Sequence, residues 1–269
     1  ELRPVCEDID EEFAEPGYYT AVYKESGIKA EATVSDFTAF HRYTFSGKGT
    51  VMIDFSNNGL DRNIGEMVYS FSERSELNRI SDNIVTAELV MNGLNMFIAA
   101  ECDGGGARLW YDYKISDKKH IEKTDKRFGG FFEAEGTVNV KIAISFKSIE
   151  TALSYLETDK PFDIVKKEAS DKWERYLSAI EIEPYDESVK EIFYSNLYHS
   201  LIKPMNMKNE SFIYGEGDFF CDFTTLWDIY KTQLPLVFTL FESETKGIIK
   251  TFEKTSNSLG SLPNTLILS

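Results

Sequence analysis

The chain has 269 residues, of which 42% are hydrophobic and 14% aromatic, so it can bury a core in one large domain or two ordinary ones. Its formal net charge of −16 repels phosphate backbones, which argues against nucleic acid as a partner. No apolar run approaches the roughly 18 residues needed to span a bilayer. The three cysteines are far apart and form neither a disulfide framework nor a Cys-x-x-Cys motif.

Short segments rich in Val, Ile, Thr and aromatic residues fill the first half of the chain, and this composition predicts β-strands. The predicted strand segments are 22–34, 37–45, 50–55, 84–91, 94–101, 128–136 and 137–146. Asn92-Gly93 predicts a tight antiparallel hairpin, and 128–136 with 137–146 predicts another pair. The loop 101–110 has three glycines without the spacing of a phosphate-binding motif, so we interpret it as a hairpin turn. Many short strands without interleaved helices predict an antiparallel β-sandwich.

After about residue 148 the apolar residues recur every three or four positions, which is the period of an amphipathic helix. The four predicted helices lie near 161–180, 186–204, 227–241 and 248–252. Pro161 suits a first helical turn, and Pro204 ends the second helix. The predicted fold class is therefore α+β, with the sandwich first and the helices second.

The stretch FCDFTTLWDIYKTQLPLVF, residues 220–238, places Trp227 beside Asp228 in an apolar segment. A sugar site needs such a pair, because the ring packs on the C–H face of a pyranose and the carboxylate accepts hydrogen bonds from hydroxyls. The alternative is a core tryptophan beside a solvated aspartate, which the residues alone favour because buried aromatics are commoner than ligand platforms. The acidic residues around it are Glu216, Asp218, Asp222 and Asp228.

Other motifs are weaker. His41, His120 and His199 lie in separate segments without ligand spacing, so a zinc site is not predicted. His199, on the second predicted helix, is more often a packed or capping residue than a functional one. Asn209-Glu210-Ser211 matches a glycosylation acceptor, a short pattern that matters only in a glycosylating secretory pathway.

Several segments, taken in order, carry a resemblance to a known family. They are PGYYTAVYKESGIKAEATVSDFTAFHRYTF (16–45), SFKSIETALSYLE (145–157), KWERYLSAIEIE (172–183), IFYSNLYHSLIKP (192–204), FTTLWDIYKTQLPL (223–236) and LGSLPN (259–264). The ordered set resembles glycoside hydrolase family 92, the calcium-dependent exo-acting α-mannosidases. The resemblance implies a β-sandwich domain at 1–146, a helical linker at 147–183, and the first helices of an (α/α)6 catalytic barrel at 184–269.

The same resemblance implies a role in removing terminal mannose from glycans with inversion, with α-1,2 linkages as the expected substrate. Trp227 and Asp228 would bind the terminal mannose. Lys231 is a weaker candidate, because it stands where members usually carry arginine and lacks that residue's planar fork. The segment after Gly260 also lacks the usual Pro-Arg/Lys-Trp. The catalytic carboxylates and the calcium ligands are expected beyond Ser269, so no catalytic residue is assigned and the chain alone is expected to be inactive.

One alternative of a different class stays open on the sequence. A non-catalytic carbohydrate-binding or structural β-sandwich with a helical appendage would have the same order of strands and helices. The discriminating feature would be a helical extension with paired carboxylates after residue 269.

Overall fold

The computed structural model describes residues 7–56, 72–91, 93–122, 126–157, 160–183, 185–223, 226–262 and 264. The chain divides into two compact units, 1–170 and 171–269, and the boundary falls inside the helix Phe162–Leu177. The sequence-based domain limits at 146 and 183 stay a prediction.

The first unit is built around a large antiparallel sheet. Within the described residues its eleven strands are β1 (Ile9–Glu15), β2 (Tyr18–Tyr23), β3 (Lys29–Val34), β4 (Thr38–Asp54), β5 (Arg74–Arg79), β6 (Ile84–Met91), β7 (Leu94–Cys102), β8 (Arg108–Tyr111), β9 (Lys114–Ser116), β10 (His120–Glu122) and β11 (Phe128–Ser145). The order is β1-β2-β3-β4-β11-β7-β6-β5-β10, with β8 pairing β11 and β9.

The sheet folds back on itself into two layers that enclose a hydrophobic core. Strands β4 and β11, with 17 and 18 residues, are long enough to run through both layers. Residues of β6 face the first half of β11 across this core: a Cβ on Gly130 would lie 2.6 Å from Cγ2 of Val85. Glycine therefore permits the close approach of the two layers. The core includes the fully buried Leu77, Leu109, Phe128 and Phe132. These features confirm the predicted β-sandwich.

The strand boundaries differ from the predicted ones in three places. Segments 37–45 and 50–55 form the single strand β4, and 128–136 and 137–146 form the single strand β11, so the second predicted hairpin is wrong. The two long strands pair with each other along almost their whole length, so their glycines do not form turns. The pairing register shifts only once, between Glu135 and Thr137. Conversely, 22–34 divides into β2 and β3 around a turn closed by Gly27 N donating to Tyr23 O.

The hairpin predicted at Asn92-Gly93 is confirmed, since Met91 of β6 pairs with Leu94 of β7. The glycine-rich loop after β7 is not a hairpin turn, and that interpretation was wrong. Among the described strands, β7 and β8 both pair with β11, at residues 140–145 and 128–131 respectively, and not with each other. The loop therefore carries the chain from the second half of β11, where Cys102 pairs with Val140, to the first, where Arg108 pairs with Phe131.

The helices lie at α1 (Ile149–Leu156), α2 (Phe162–Leu177), α3 (Glu187–Leu201), α4 (Leu226–Ile229), α5 (Gln233–Leu240) and α6 (Glu242–Leu259). The side chain of Ser148 caps α1 by accepting a hydrogen bond from Thr151 N, and that of Asp186 caps α3 by accepting one from Ser188 N. A short pair, β12 (Met205–Asn206) and β13 (Phe220–Cys221), lies between α3 and α4. In the described part of the chain, no helix is both long and apolar enough to cross a membrane.

The third predicted helix, 227–241, is not continuous, which corrects the sequence-based expectation. It divides into α4 and α5, and the break lies before Pro235. Proline has no N–H to donate to the carbonyl four residues earlier, and its ring clashes with that carbonyl in a helix interior. As the third residue of α5, Pro235 lies in a first turn, where the missing N–H costs little.

Candidate functional site

The predicted sugar-binding residues lie on α4 in the second unit. Leu226 and Ile229 pack against this unit's hydrophobic cluster, whose buried members include Phe219, Phe223 and Ile248. Adjacent helical residues point in different directions, so Trp227 and Asp228 are left on the solvent side. Trp227 is 68% exposed in this chain.

Lys231 lies just after α4 and is exposed. Its Nζ is 5.3 Å from the centroid of the Tyr230 ring. Trp227, Asp228 and Lys231 are thus exposed side chains within five residues of one another, and their binding role stays a prediction.

Backbone contacts hold α4 in place from both sides. Leu226 N donates to Asn264 O at 3.0 Å, and Tyr230 N donates to Leu226 O at 3.1 Å. Thr232 Oγ1 donates to the backbone oxygen of Asp228 at 3.4 Å. A helix of four residues has little stability of its own, so these contacts and the packing of Leu226 determine where Trp227 stands.

Gln233 joins the start of α5 to the end of α3. Its Nε2 donates to Ser200 O and to Lys203 O, each at 2.7 Å. These carbonyls lie at the end of α3, where helix carbonyls lack intrahelical partners, so the amide satisfies two acceptors. Lys203 is in turn paired with the buried carboxylate of Asp222, a residue with φ +65°.

Gln233, Ser200 and Lys203 border a cleft of about 700 Å³. Its other lining residues are His199, Ile202, Ile229, Thr232 and Leu236. Trp227, Asp228 and Lys231 are not among the lining residues. The sequence reasoning gave Lys203 and Gln233 no part in such a cleft. They are distant in sequence and share no motif, so only the folded chain reveals them.

The acidic residues around Trp227 do not converge. Asp222 pairs with Lys203, and the Asp218 carboxylate accepts a hydrogen bond from Asn206 Nδ2 at 3.1 Å. The part of the chain that the structure describes contains no cluster of three or more His, Cys, Asp or Glu side chains suited to a metal ion. Burial raises the pKa of the neighbouring Cys221 thiol to about 12, with the Asp222 carboxylate adding to the effect.

The three histidines lie in separate places. His41 Nδ1 lies 3.0 Å from the Tyr43 hydroxyl, and burial lowers the pKa of His41. His120 Nδ1 lies 3.0 Å from Asn78 Oδ1, and His199 is exposed at the cleft described above. In the glycosylation-like sequence, Asn209 Oδ1 accepts a hydrogen bond from Gly217 N at 2.8 Å.

Comparisons with known proteins identify the family to which this chain belongs. The sequence model described as the glycosyl hydrolase family 92 N-terminal domain matches residues 6–145, and the one described as the family's catalytic domain matches residues 151–267. The two matches together cover most of the chain, and the chain belongs to glycosyl hydrolase family 92. No curated protein sequence matches the chain.

Solved structures show the same fold. The family GH92 α-mannosidase BT3965 from Bacteroides thetaiotaomicron aligns over 97% of this chain and 38% of its own, with 20% identity and a TM-score of 0.78. The same enzyme in complex with mannoimidazole aligns over 96% and 36%, with 20% identity and a TM-score of 0.77. The inverting mannosidase BT2199 from Bacteroides thetaiotaomicron VPI-5482 aligns over 94% and 36%, with 16% identity and a TM-score of 0.77. The chain thus spans less than two-fifths of these proteins' length, and the likeness confirms the predicted fold class.

Proposed function

We propose that this chain is part of an exo-acting α-mannosidase that removes terminal mannose from glycans with inversion, α-1,2 linkages being the first substrate to test. The observation that carries the proposal is the exposed Trp227–Asp228 pair, which lies within the region that matches the family's catalytic domain. One of the similar structures is a mannosidase in complex with mannoimidazole, and another is an inverting mannosidase. These two likenesses support the choice of substrate and stereochemistry.

Trp227 and Asp228 have complementary roles in this proposal. The indole, 68% exposed, offers a flat apolar surface to the C–H face of the terminal mannose. The Asp228 carboxylate accepts hydrogen bonds from sugar hydroxyls, and the Lys231 ammonium donates to them. The Lys231 ammonium is a point charge, whereas the planar guanidinium of an arginine could bind two oxygens at once. We therefore assign Lys231 the weaker contribution.

The hydrolysis itself needs groups that we do not assign to this chain. An inverting glycosidase uses one carboxylic acid to protonate the leaving oxygen and a second carboxylate to activate water, about 6.5–9.5 Å apart. The proposed enzyme also uses calcium, a cation that prefers oxygen ligands. The described residues do not fit such a site, because no cluster of three or more acidic, His or Cys side chains occurs among them. We propose that the acid, the base and the calcium ligands lie outside this chain, which alone is inactive in this proposal.

The test is mannose release from α-1,2-mannobiose by this chain and by the longest natural reading frame that contains it. Each is assayed with added calcium and with a chelator. Release by the longer protein alone, lost on chelation, is the expected result.

Two outcomes would overturn the proposal in different ways. A folded longer protein that is silent on this and other α-mannosides would reject the mannosidase and favour the non-catalytic binding protein. Release of mannose by the 269-residue chain itself would show that the catalytic carboxylates lie within it.

A further inference from the structure

The first unit contains a polar groove of about 520 Å³ that the proposed function does not use. Its floor is the face of β4, β11 and β7 that carries Arg42, Asn139 and Lys141, and the start of α2 forms part of its wall. The charged lining residues are Arg42, Lys141, Lys160, Glu101, Asp103 and Asp163. Three cations thus face three carboxylates, and the groove is close to neutral in a chain whose formal net charge is −16.

Arg42 is held in one orientation by a carboxylate beneath the groove. Its Nε and Nη2 donate to the two oxygens of Glu31 at 2.8 and 3.0 Å, and Glu31 is only 5% exposed. A buried ion pair adds little stability compared with an apolar pair of the same size. What this pair does provide is a fixed guanidinium, and fixed polar groups are what a binding site requires.

Other lining side chains are fixed in the same way. Asn139 Nδ2 donates to Asp103 Oδ2 at 2.9 Å, and Asn139 N donates to Asp103 Oδ1 at 2.7 Å. Lys141 Nζ lies 3.1 Å from Glu101 Oε2 and 3.2 Å from the backbone oxygen of Leu156. The lining is therefore ordered before any ligand arrives, which lowers the entropy lost on binding.

The lining side chains that can still hydrogen-bond to a ligand are mainly acceptors. An ionised carboxylate has about four acceptor positions, whereas the donors of Arg42, Asn139 and Lys141 are largely engaged by protein oxygens. Asp103 accepts two hydrogen bonds, both from Asn139. The charges of the lining balance, so the groove offers a charged ligand no net attraction, and its acceptor capacity suits an uncharged ligand that is rich in O–H donors.

We propose that this groove is a second carbohydrate-binding site, which takes a neutral pyranoside through hydroxyls that donate to Asp103, Glu101 and Asp163. It lies on the sandwich unit and does not depend on the assignment of Trp227 and Asp228. Two of its lining residues, Thr137 and Asn139, are exposed and complete the contacts.

The test is a ligand-observed NMR titration of the chain with methyl α-D-mannopyranoside. Thr137→Val and Asn139→Ala remove polar groups at exposed positions, so the fold should persist, which near-UV circular dichroism checks. The matched control is Asn95→Ala, an exposed asparagine on β7 outside the groove. We expect saturable binding that is weakened about fivefold or more by Asn139→Ala and left unchanged by Asn95→Ala.

A parallel titration of Trp227→Ala separates the two sites. Saturable binding that survives Trp227→Ala and is lost in the groove variants supports the proposal. Binding that depends on Trp227 alone, or no saturable binding, overturns it. Neither of these results bears on mannose release by the longer protein, so the two proposals fail independently.

Discussion

Glu31 shows how one buried carboxylate organises its surroundings. It accepts hydrogen bonds from the Tyr18 hydroxyl at 2.7 Å and from the Arg42 fork, and Lys29 Nζ lies 3.3 Å away. The hydrogen bonds from Arg42 lower the pKa of Glu31 to about 2, although burial opposes the shift. The carboxylate is thus ionised in the folded state, and its loss should be costly.

Replacing Glu31 by Gln should lower the free energy of unfolding by about 2–3 kcal/mol, because the Arg42 fork then faces a neutral amide in a largely buried place. Asp163→Asn is the matched control. Asp163 also pairs with the Arg42 guanidinium, but its side chain is 73% exposed. Removing its charge should therefore lower the free energy of unfolding by less than about 1 kcal/mol. Urea denaturation followed by circular dichroism measures both. Equal costs would show that burial of Glu31 is not what matters.

The same pair predicts a dependence on pH. Because the pKa of Glu31 falls from its ordinary value of 4.5 to about 2 on folding, its contribution to stability is complete above pH 4.5 and is lost as the pH falls toward 2. The stability difference between the wild type and Glu31→Gln should therefore shrink across this interval. Urea midpoints at pH 7, 4.5 and 2.5 measure it, and a constant difference would contradict the prediction.

Trp227 should matter to function and not to stability. Trp227→Ala should change the free energy of unfolding by less than about 0.5 kcal/mol, because the side chain is 68% exposed. In the longer protein it should lower kcat/KM for α-mannosides about tenfold or more, and Trp227→Phe should restore part of the loss by keeping a flat ring. Unchanged kinetics in Trp227→Ala would remove this residue from the proposed site.

At the scale of elements, the attachment of α2 to the sheet depends on a close approach to the turn between β1 and β2. Gly17 has φ +89°, and a Cβ there would lie 2.9 Å from the Cβ of Ala169 on α2. The hydroxyl of Thr33 also donates to Gly17 O at 2.7 Å, which fixes the turn. The position therefore excludes any side chain for two separate reasons, conformation and contact.

Gly17→Ala should lower the free energy of unfolding by about 1–3 kcal/mol more than Gly27→Ala does. Gly27 is the matched control, since it also has a positive φ, +66°, but a Cβ there meets nothing within 4 Å. Subtracting the two values removes the conformational cost and leaves the contact with α2. Chemical denaturation of both variants measures it, and equal values would show that α2 shifts freely.

The sequence predicts those elements whose signal is local. The Asn-Gly hairpin between β6 and β7 and the capped helix that starts after Asp186 agree with the structure, because turn chemistry and capping act within a few residues. The length of β4 and β11 could not be read in this way. Turn-forming glycines lie within both, and only a long partner strand keeps those residues in the sheet.

At the scale of the whole molecule, two buried cysteines report on the two units separately. Cys102 lies in the core of the sandwich and Cys221 in that of the helical unit, and both are fully buried. Burial raises the pKa of both thiols, that of Cys221 to about 12. Neither should react with iodoacetamide in the native state, because the thiolate is the reactive form.

With increasing urea, peptide mass spectrometry should show each cysteine becoming labelled when its own unit unfolds. Labelling of both at one urea concentration would indicate that the units unfold together, and separate midpoints would indicate independent unfolding. Rapid labelling of Cys221 without urea would contradict the prediction by showing that the helical core opens in native conditions.

The candidate site was only partly predictable. Trp227 and Asp228 are adjacent in sequence, so their pairing is visible without a structure, and their exposure on α4 is what the structure adds. The links from Gln233 to the end of α3 and from Lys203 to Asp222 join residues that no spacing rule connects. Likewise, nothing in the sequence indicates that Glu31 lies under Arg42 and Asp163.

The position of β11 has a consequence for synthesis. This strand is the last of the sheet in sequence, yet it lies between β4 and β7 and also pairs with β8. A ribosome therefore has to release residues through Ser145 before the centre of the sheet can form, and until then β4, β7 and β8 have no partner on one edge. Such pairing between distant residues slows folding and leaves strand edges open to other chains. The nascent chain is thus most vulnerable to aggregation just before its longest strand emerges.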